Sequence, residues 1–128
     1  MKLRIRGQSL RLRLSQPDVT ALAAAGRLEE AVVFGPAPGQ QLGYVIESDP
    51  AAAAIGLQYA PGKLTIVLPS DMARVWMASE ETTLEARQPV EGAKDLKLIL
   101  EKDFACRQTR DAAEDAGSFP NPLPDHVC

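Results

Sequence analysis

Leu3-Arg4-Ile5-Arg6-Gly7-Gln8-Ser9-Leu10-Arg11-Leu12-Arg13-Leu14 decides the fold, because its pattern returns in the second half of the chain. Leu3, Ile5, Leu10, Leu12 and Leu14 alternate with Arg4, Arg6, Arg11 and Arg13. Alternation is the strand signal, since successive side chains leave a strand on opposite faces. The Gly7-Gln8-Ser9 break between the two runs suits a tight hairpin turn. At an offset of 54 residues, Leu3-Arg4-Ile5 falls on Leu57-Gln58-Tyr59 and the turn falls on Pro61-Gly62-Lys63. Leu10, Leu12 and Leu14 then fall on Leu64, Ile66 and Leu68. After a one-residue slip, Asp18, Val19 and Leu22 match Asp71, Met72 and Val75; at 54 again, residues 42–47 match 96–101. Self-similarity at this period predicts one supersecondary unit used twice.

The rest of each half follows from local signals. Ser15 is a plausible N-cap for a helix over residues 17–25, with Pro17 in the first turn and Gly26 as the stop. Strands are expected near 28–34 and 41–47, separated by Gly35-Pro36-Ala37-Pro38-Gly39, which cannot continue a ladder. In the second half, a hairpin over 55–60 and 63–68 leads through Pro69-Ser70-Asp71 into a helix ending near Ala78. That helix is expected to bury Met72, Val75 and Trp76, and strands near 82–87 and 94–102 close the unit. The expected architecture is therefore α+β: two ββαββ repeats, about 1–50 and 51–103, sharing a mostly antiparallel, barrel-like sheet with two short helices. An isolated hairpin is marginal in water, so the halves are expected to form one domain over residues 1–128.

Composition bounds the possibilities. The chain has 128 residues, 45% of them hydrophobic and only 5% aromatic, so the core must be mostly Leu, Val, Ile and Ala. No apolar run approaches the roughly 20 residues that span a bilayer, so no membrane partner is expected. A cytoplasmic home, where thiols stay reduced, is the default. The net charge of −3 hides an asymmetry: Lys2, Arg4, Arg6, Arg11 and Arg13 put five positive and no negative charges in the first fourteen residues, and the remainder sums to −8.

Residues 62–72, Gly62-Lys63-Leu64-Thr65-Ile66-Val67-Leu68-Pro69-Ser70-Asp71-Met72, and more loosely residues 10–22, resemble the AbrB-type swapped-hairpin unit. That resemblance covers roughly residues 1–103 and implies strands exchanged between two units. In that family basic residues on the helix and nearby strands contact DNA, whereas here residues 17–25 carry no basic side chain and the second helix has only Arg74. After Glu101 the composition changes. Glu101-Lys102-Asp103-Phe104-x-Cys106, an acidic stretch and Phe119-Pro120-Asn121-Pro122 are similar to an uncharacterised family of small bacterial proteins. The similarity extends over the whole chain, implies a complete protein and brings no established activity. Spaced prolines make residues 104–128 an extended, surface-wrapping tail with Phe104, Phe119 and Leu123 as expected anchors.

Three function classes remain. The first is a non-enzymatic binding or interaction module for an unknown protein or anionic ligand. The second is a nucleic-acid-binding regulator in which Arg4, Arg6, Arg11 and Arg13 grip phosphates as guanidinium forks. Against it stands a solvated face whose arginines pair across strands with Glu29, Glu30, Glu47 or Glu85. The third uses Cys106, His126 and Cys128 as thiolate and imidazole ligands for zinc; a Cys106–Cys128 disulfide or unrelated thiols are the alternatives. No cofactor is otherwise expected. The chain has no Gly-rich phosphate loop and no Gly-x-Ser-x-Gly. Nothing brings Glu101, Asp103, Glu114 and Asp115 together as an acid–base pair, so the balance leans away from an enzyme.

Overall fold

The computed structural model describes residues 1–103 together with Gly117 and Phe119. Eight strands and two helices follow in the order β1 (Lys2–Arg6), β2 (Ser9–Leu14), α1 (Gln16–Ala25), β3 (Arg27–Val33), β4 (Gln41–Asp49), β5 (Gly56–Ala60), β6 (Lys63–Pro69), α2 (Ser70–Ala78), β7 (Thr83–Gln88) and β8 (Leu96–Lys102). These bounds sit within two residues of those read from alternation and caps. Ser15 opens α1 through a reciprocal capping box: its hydroxyl accepts from the Asp18 N–H at 3.3 Å, and its own N–H donates to the Asp18 carboxylate at 2.9 Å. Gly26 closes the helix in the left-handed region at φ 70°, where a side chain would be strained, and its N–H returns to the Leu22 carbonyl at 2.8 Å.

The second helix departs from expectation in its rotation. Ala73 and Trp76 are fully buried, whereas Met72 is 40% and Val75 60% exposed. The one-residue slip in the sequence alignment is therefore wrong for this helix. Pro69, a residue without a side-chain cap bond, stands at the N-cap, and counting from there puts Ala73 and Trp76 inward.

Two four-stranded sheets form, sheet A in the order β1-β2-β8-β7 and sheet B in the order β3-β4-β6-β5. Each is a pair of antiparallel hairpins joined through a central parallel pair, β2 with β8 and β4 with β6. The sheets do not close into the expected barrel. Where the edge strands β5 and β7 approach each other, no ladder continues from sheet to sheet. The Gln88 amide spans the gap, its Oε1 accepting from the Leu57 N–H at 2.6 Å and its Nε2 donating to the Leu57 carbonyl at 3.1 Å. Pro89 follows at once and has no N–H to extend the pairing.

The inward faces of both sheets and both helices share one apolar cluster. Leu10, Leu12, Leu14, Leu98 and Leu100 come from sheet A and Ile46, Ile66 and Leu68 from sheet B. Leu22, Ala73 and Trp76 come from the helices. No polar or charged residue is fully buried among the described residues. Phe104 and Leu123, two of the expected tail anchors, lie outside the described residues, and Phe119 is corrected: it is 97% exposed.

Candidate anion-binding face

Strand register decides which charges meet. In β2, Leu10, Leu12 and Leu14 point into the core, so Ser9, Arg11 and Arg13 point outward. Pairing carries that parity across sheet A. One row across the outer face reads Lys2, Arg13, Glu101, Thr83; the next reads Arg4, Arg11, Ile99, Glu85; the third reads Arg6, Ser9, Lys97, Arg87. The face thus carries seven cations and two carboxylates. The four arginines proposed from sequence do share one surface, and the fold adds Lys97 and Arg87 from strands about 90 residues away. Their signal was present locally, since both lie at outward positions of alternating runs, but nothing local says that β8 docks beside β2.

The acids on the face are Glu101 and Glu85, with Asp95 just before β8 and Asp103 just beyond it. Glu101 accepts from Arg13 Nε at 3.0 Å and lies 3.6 Å from Arg11 Nη1. Asp103 takes the Lys2 ammonium at 3.2 Å, and Glu85 takes Lys97 at 3.1 Å. Of the carboxylates expected to pair with the arginines, Glu29 and Glu30 serve elsewhere. Glu29 pairs with Arg27 and Lys63 on sheet B, and Glu30 with the Met1 ammonium. Arg4 and Arg11 each hold a further interaction, so neither is a free cation. Exposed ion pairs of this kind contribute at most about 1 kcal/mol each. Their role is to set where net positive charge survives.

Sheet B offers a direct contrast. Its outward positions carry Arg27 and Lys63 against Glu29, Glu47 and Asp49, one acid in excess. A groove of about 300 Å³ on that side runs between the β3–β4 loop and the Pro61-Gly62 turn. Glu29 and Lys63, 3.6 Å apart, are its charged lining residues and neutralise each other.

A second polar cluster sits at the start of β1. The Met1 ammonium lies 2.8 Å from Asp18 and 3.0 Å from Glu30, and Tyr44 donates its hydroxyl to Glu30 at 3.0 Å. Burial works against the ammonium, but its hydrogen bonds and the charges of Asp18 and Glu30 outweigh that and hold it above its ordinary 8.0. Burial likewise pushes the Asp18 carboxyl up, while the ammonium and the bonds from Ser15 bring it below its ordinary 3.8. Burial first, then Glu30, raises the Tyr44 phenol above 10.0. Each member is satisfied by the others, so the cluster ties β1 to α1 and to the β3–β4 hairpin.

Among the described residues, no group of three or more His, Cys, Asp or Glu side chains is arranged to hold a metal. Cys106, His126 and Cys128 lie outside the described residues. No helix among the described residues is long and apolar enough to cross a membrane.

Residues 1–123 match one family along their whole length. The chain belongs to DUF7009, a family of unknown function. The expectation of an uncharacterised family holds at that level. The DUF7009 match takes in both sheets and both helices, so the basic face lies wholly inside it. No curated protein and no solved structure matches the chain.

Proposed function

We propose that this chain is a non-enzymatic binding module and that the outer face of sheet A engages a polyanionic partner. One observation carries the proposal: seven cations and two carboxylates gather on a single sheet face of a chain whose net charge is −3. A cationic patch on an acidic molecule focuses its field and orients an approaching anion. Five of the seven are arginines, whose planar forks suit phosphate and carboxylate. Sheet B, whose outward face carries one acid in excess, makes general surface solvation a poor account of this cationic excess.

The scaffold is, in the same proposal, a single domain built from one ββαββ unit used twice with its hairpins exchanged, in the manner of the AbrB-type unit. Support comes from the registers. Leu10 pairs with Leu98 and Leu12 with Leu100 in sheet A. At the same offset of 54, Leu64 pairs with Tyr44 and Ile66 with Ile46 in sheet B. Leu22 and Trp76, also 54 apart, are the buried anchors of the two helices.

Titrating labelled polyanions (a duplex of about 20 base pairs, inorganic polyphosphate, polyglutamate) at low and moderate salt tests the binding claim. At least one is expected to bind and to lose affinity as salt rises, with a logarithmic slope near −0.9 per phosphate neutralised for a duplex. Absence of binding to all three, or affinity indifferent to salt, would overturn it.

A further inference from the structure

We infer that the ligand-engaging part of this face is the row of Arg6, Lys97 and Arg87, and that its occupant is the phosphate backbone of a nucleic-acid duplex. This rests on the polyanion proposal above and narrows it to one end and one partner.

The end follows from where the acids stand. Glu101 and Asp103 lie at the end of the face that holds Lys2 and Arg13, and both are engaged with those cations. A ligand phosphate arriving there meets carboxylates and must displace existing pairs. At the opposite end, beside the β1–β2 turn, Glu85 is taken by Lys97, and the exposed acids of the β7–β8 connection, Glu91 and Asp95, form no ion pair with Arg6 or Arg87 among the described residues. Arg6 and Arg87 are exposed and have no ion-pair partner among the described residues. They stand on the two edge strands of sheet A, with Lys97 on β8 between them. Four neighbouring strands put them about 14 Å apart at the backbone, and side chains stand roughly perpendicular to a sheet. A single phosphate ion meets one of these cations; a ligand bearing phosphates at intervals meets all three.

The partner follows from what the face lacks. None of its twelve outward positions is aromatic, so bases of a single strand find no stacking platform. The only aliphatic side chain among them, Ile99, is 5% exposed and offers no apolar anchor of the kind that dominates protein–protein hot spots. Duplex nucleic acid needs neither: it presents about one charge per 1.7 Å of axis, and its interfaces with proteins are polar and strongly positive. A four-stranded face whose ligand row draws its cations from three different strands lies across the backbone and does not enter a groove, so affinity is expected to be independent of base sequence.

Fluorescence anisotropy with a labelled duplex of about 20 base pairs, followed across a salt series, decides the matter. Arg6→Gln with Arg87→Gln is expected to weaken binding roughly tenfold or more near 100 mM salt and to flatten the salt slope by about 2. Lys2→Gln with Arg13→Gln is expected to cost several-fold less. Arg27→Gln on sheet B, with circular dichroism to verify folding of every variant, serves as the control. Scrambling the duplex sequence is expected to leave affinity unchanged. Equal losses from the two double variants would overturn the choice of end while leaving the face itself in place. Polyglutamate or a single strand binding as tightly as the duplex would overturn the choice of partner. No binding by any polyanion would overturn the broader proposal as well.

Discussion

Replacing Lys102 with methionine should destabilise the protein far more than its half-exposed position in β8 suggests. Lys102 pairs with Leu14 and so faces the interior side of sheet A. Its ammonium donates to the carbonyls of Trp76 at 2.7 Å and Ser79 at 2.6 Å, and it sits 5.4 Å from the centroid of the Trp76 ring. Both carbonyls lie at the C-terminal end of α2, where orphan acceptors and the negative pole of the helix collect. The last turn of α2 has no basic residue of its own, so β8 supplies the cation from elsewhere in the chain. A hydrogen bond from a charged donor contributes about 1.5–3 kcal/mol, the dipole about 0.3–1 and the ring about 0.5–1. These terms overlap, and the Trp76 carbonyl keeps the Ser79 N–H at 3.3 Å and hydroxyl at 3.1 Å. A net loss of about 2–4 kcal/mol is therefore expected for Lys102→Met, which retains most of the aliphatic stem. For a domain of this size that lowers Tm by roughly 8–15 °C. Thermal melts read by far-ultraviolet circular dichroism and by the fluorescence of Trp76 measure it, with Lys102→Arg expected to recover part of the loss. A Tm within about 2 °C of the parent, or Met and Arg variants that behave alike, would refute the capping role.

Three further outcomes follow from the same structure. Gln88→Leu removes the amide that mimics a strand partner for Leu57; it should cost about 1–3 kcal/mol in urea unfolding and increase hydrogen exchange at the Leu57 amide. Trp76 Nε1 is buried with no hydrogen-bond partner among the described residues, so Trp76→Phe relieves an unpaired donor while leaving a small void. It should cost less than about 1.5 kcal/mol, against about 2–5 for Leu100→Ala, whose side chain is 1% exposed. The Asp18 carboxyl is held below its ordinary 3.8, so its contribution is complete above that value and is lost as pH falls through the lower folded value. The Met1 ammonium is held above 8.0, so its share is complete below that and is lost as pH rises through the higher folded value. Asp18→Asn should lower stability at neutral pH by about 0.5–2 kcal/mol through the lost capping box and flatten the profile on the acid side; an unchanged acid limb in chemical denaturation would contradict this.

Much of the fold was legible before any coordinates, because strand alternation, caps and turn residues are local signals. Ser15, Gly26 and the Gly- and Pro-bearing turns were read correctly on that basis. The rotation of α2 was legible only at Trp76, which is buried as expected; Met72 and Val75 are as apolar as Ala73, and only packing chose Ala73 over them. The Glu101 and Asp103 pairings were missed for a related reason: a charge on an outward face finds a partner only when its neighbouring strand is known.

By itself, the sequence determined which segments extend, where they turn, and that Arg4, Arg6, Arg11 and Arg13 share one side of one hairpin. Only the tertiary structure decided that β8 lies parallel to β2, that two sheets stand open without forming a barrel, and that Arg87 and Lys97 complete the basic face while Glu101 quiets its far end. Period-two alternation is a property of neighbouring residues and tells each side chain which way to point. Strand neighbours across some 90 residues are chosen by how the whole chain buries its apolar faces together, and no short stretch carries that information.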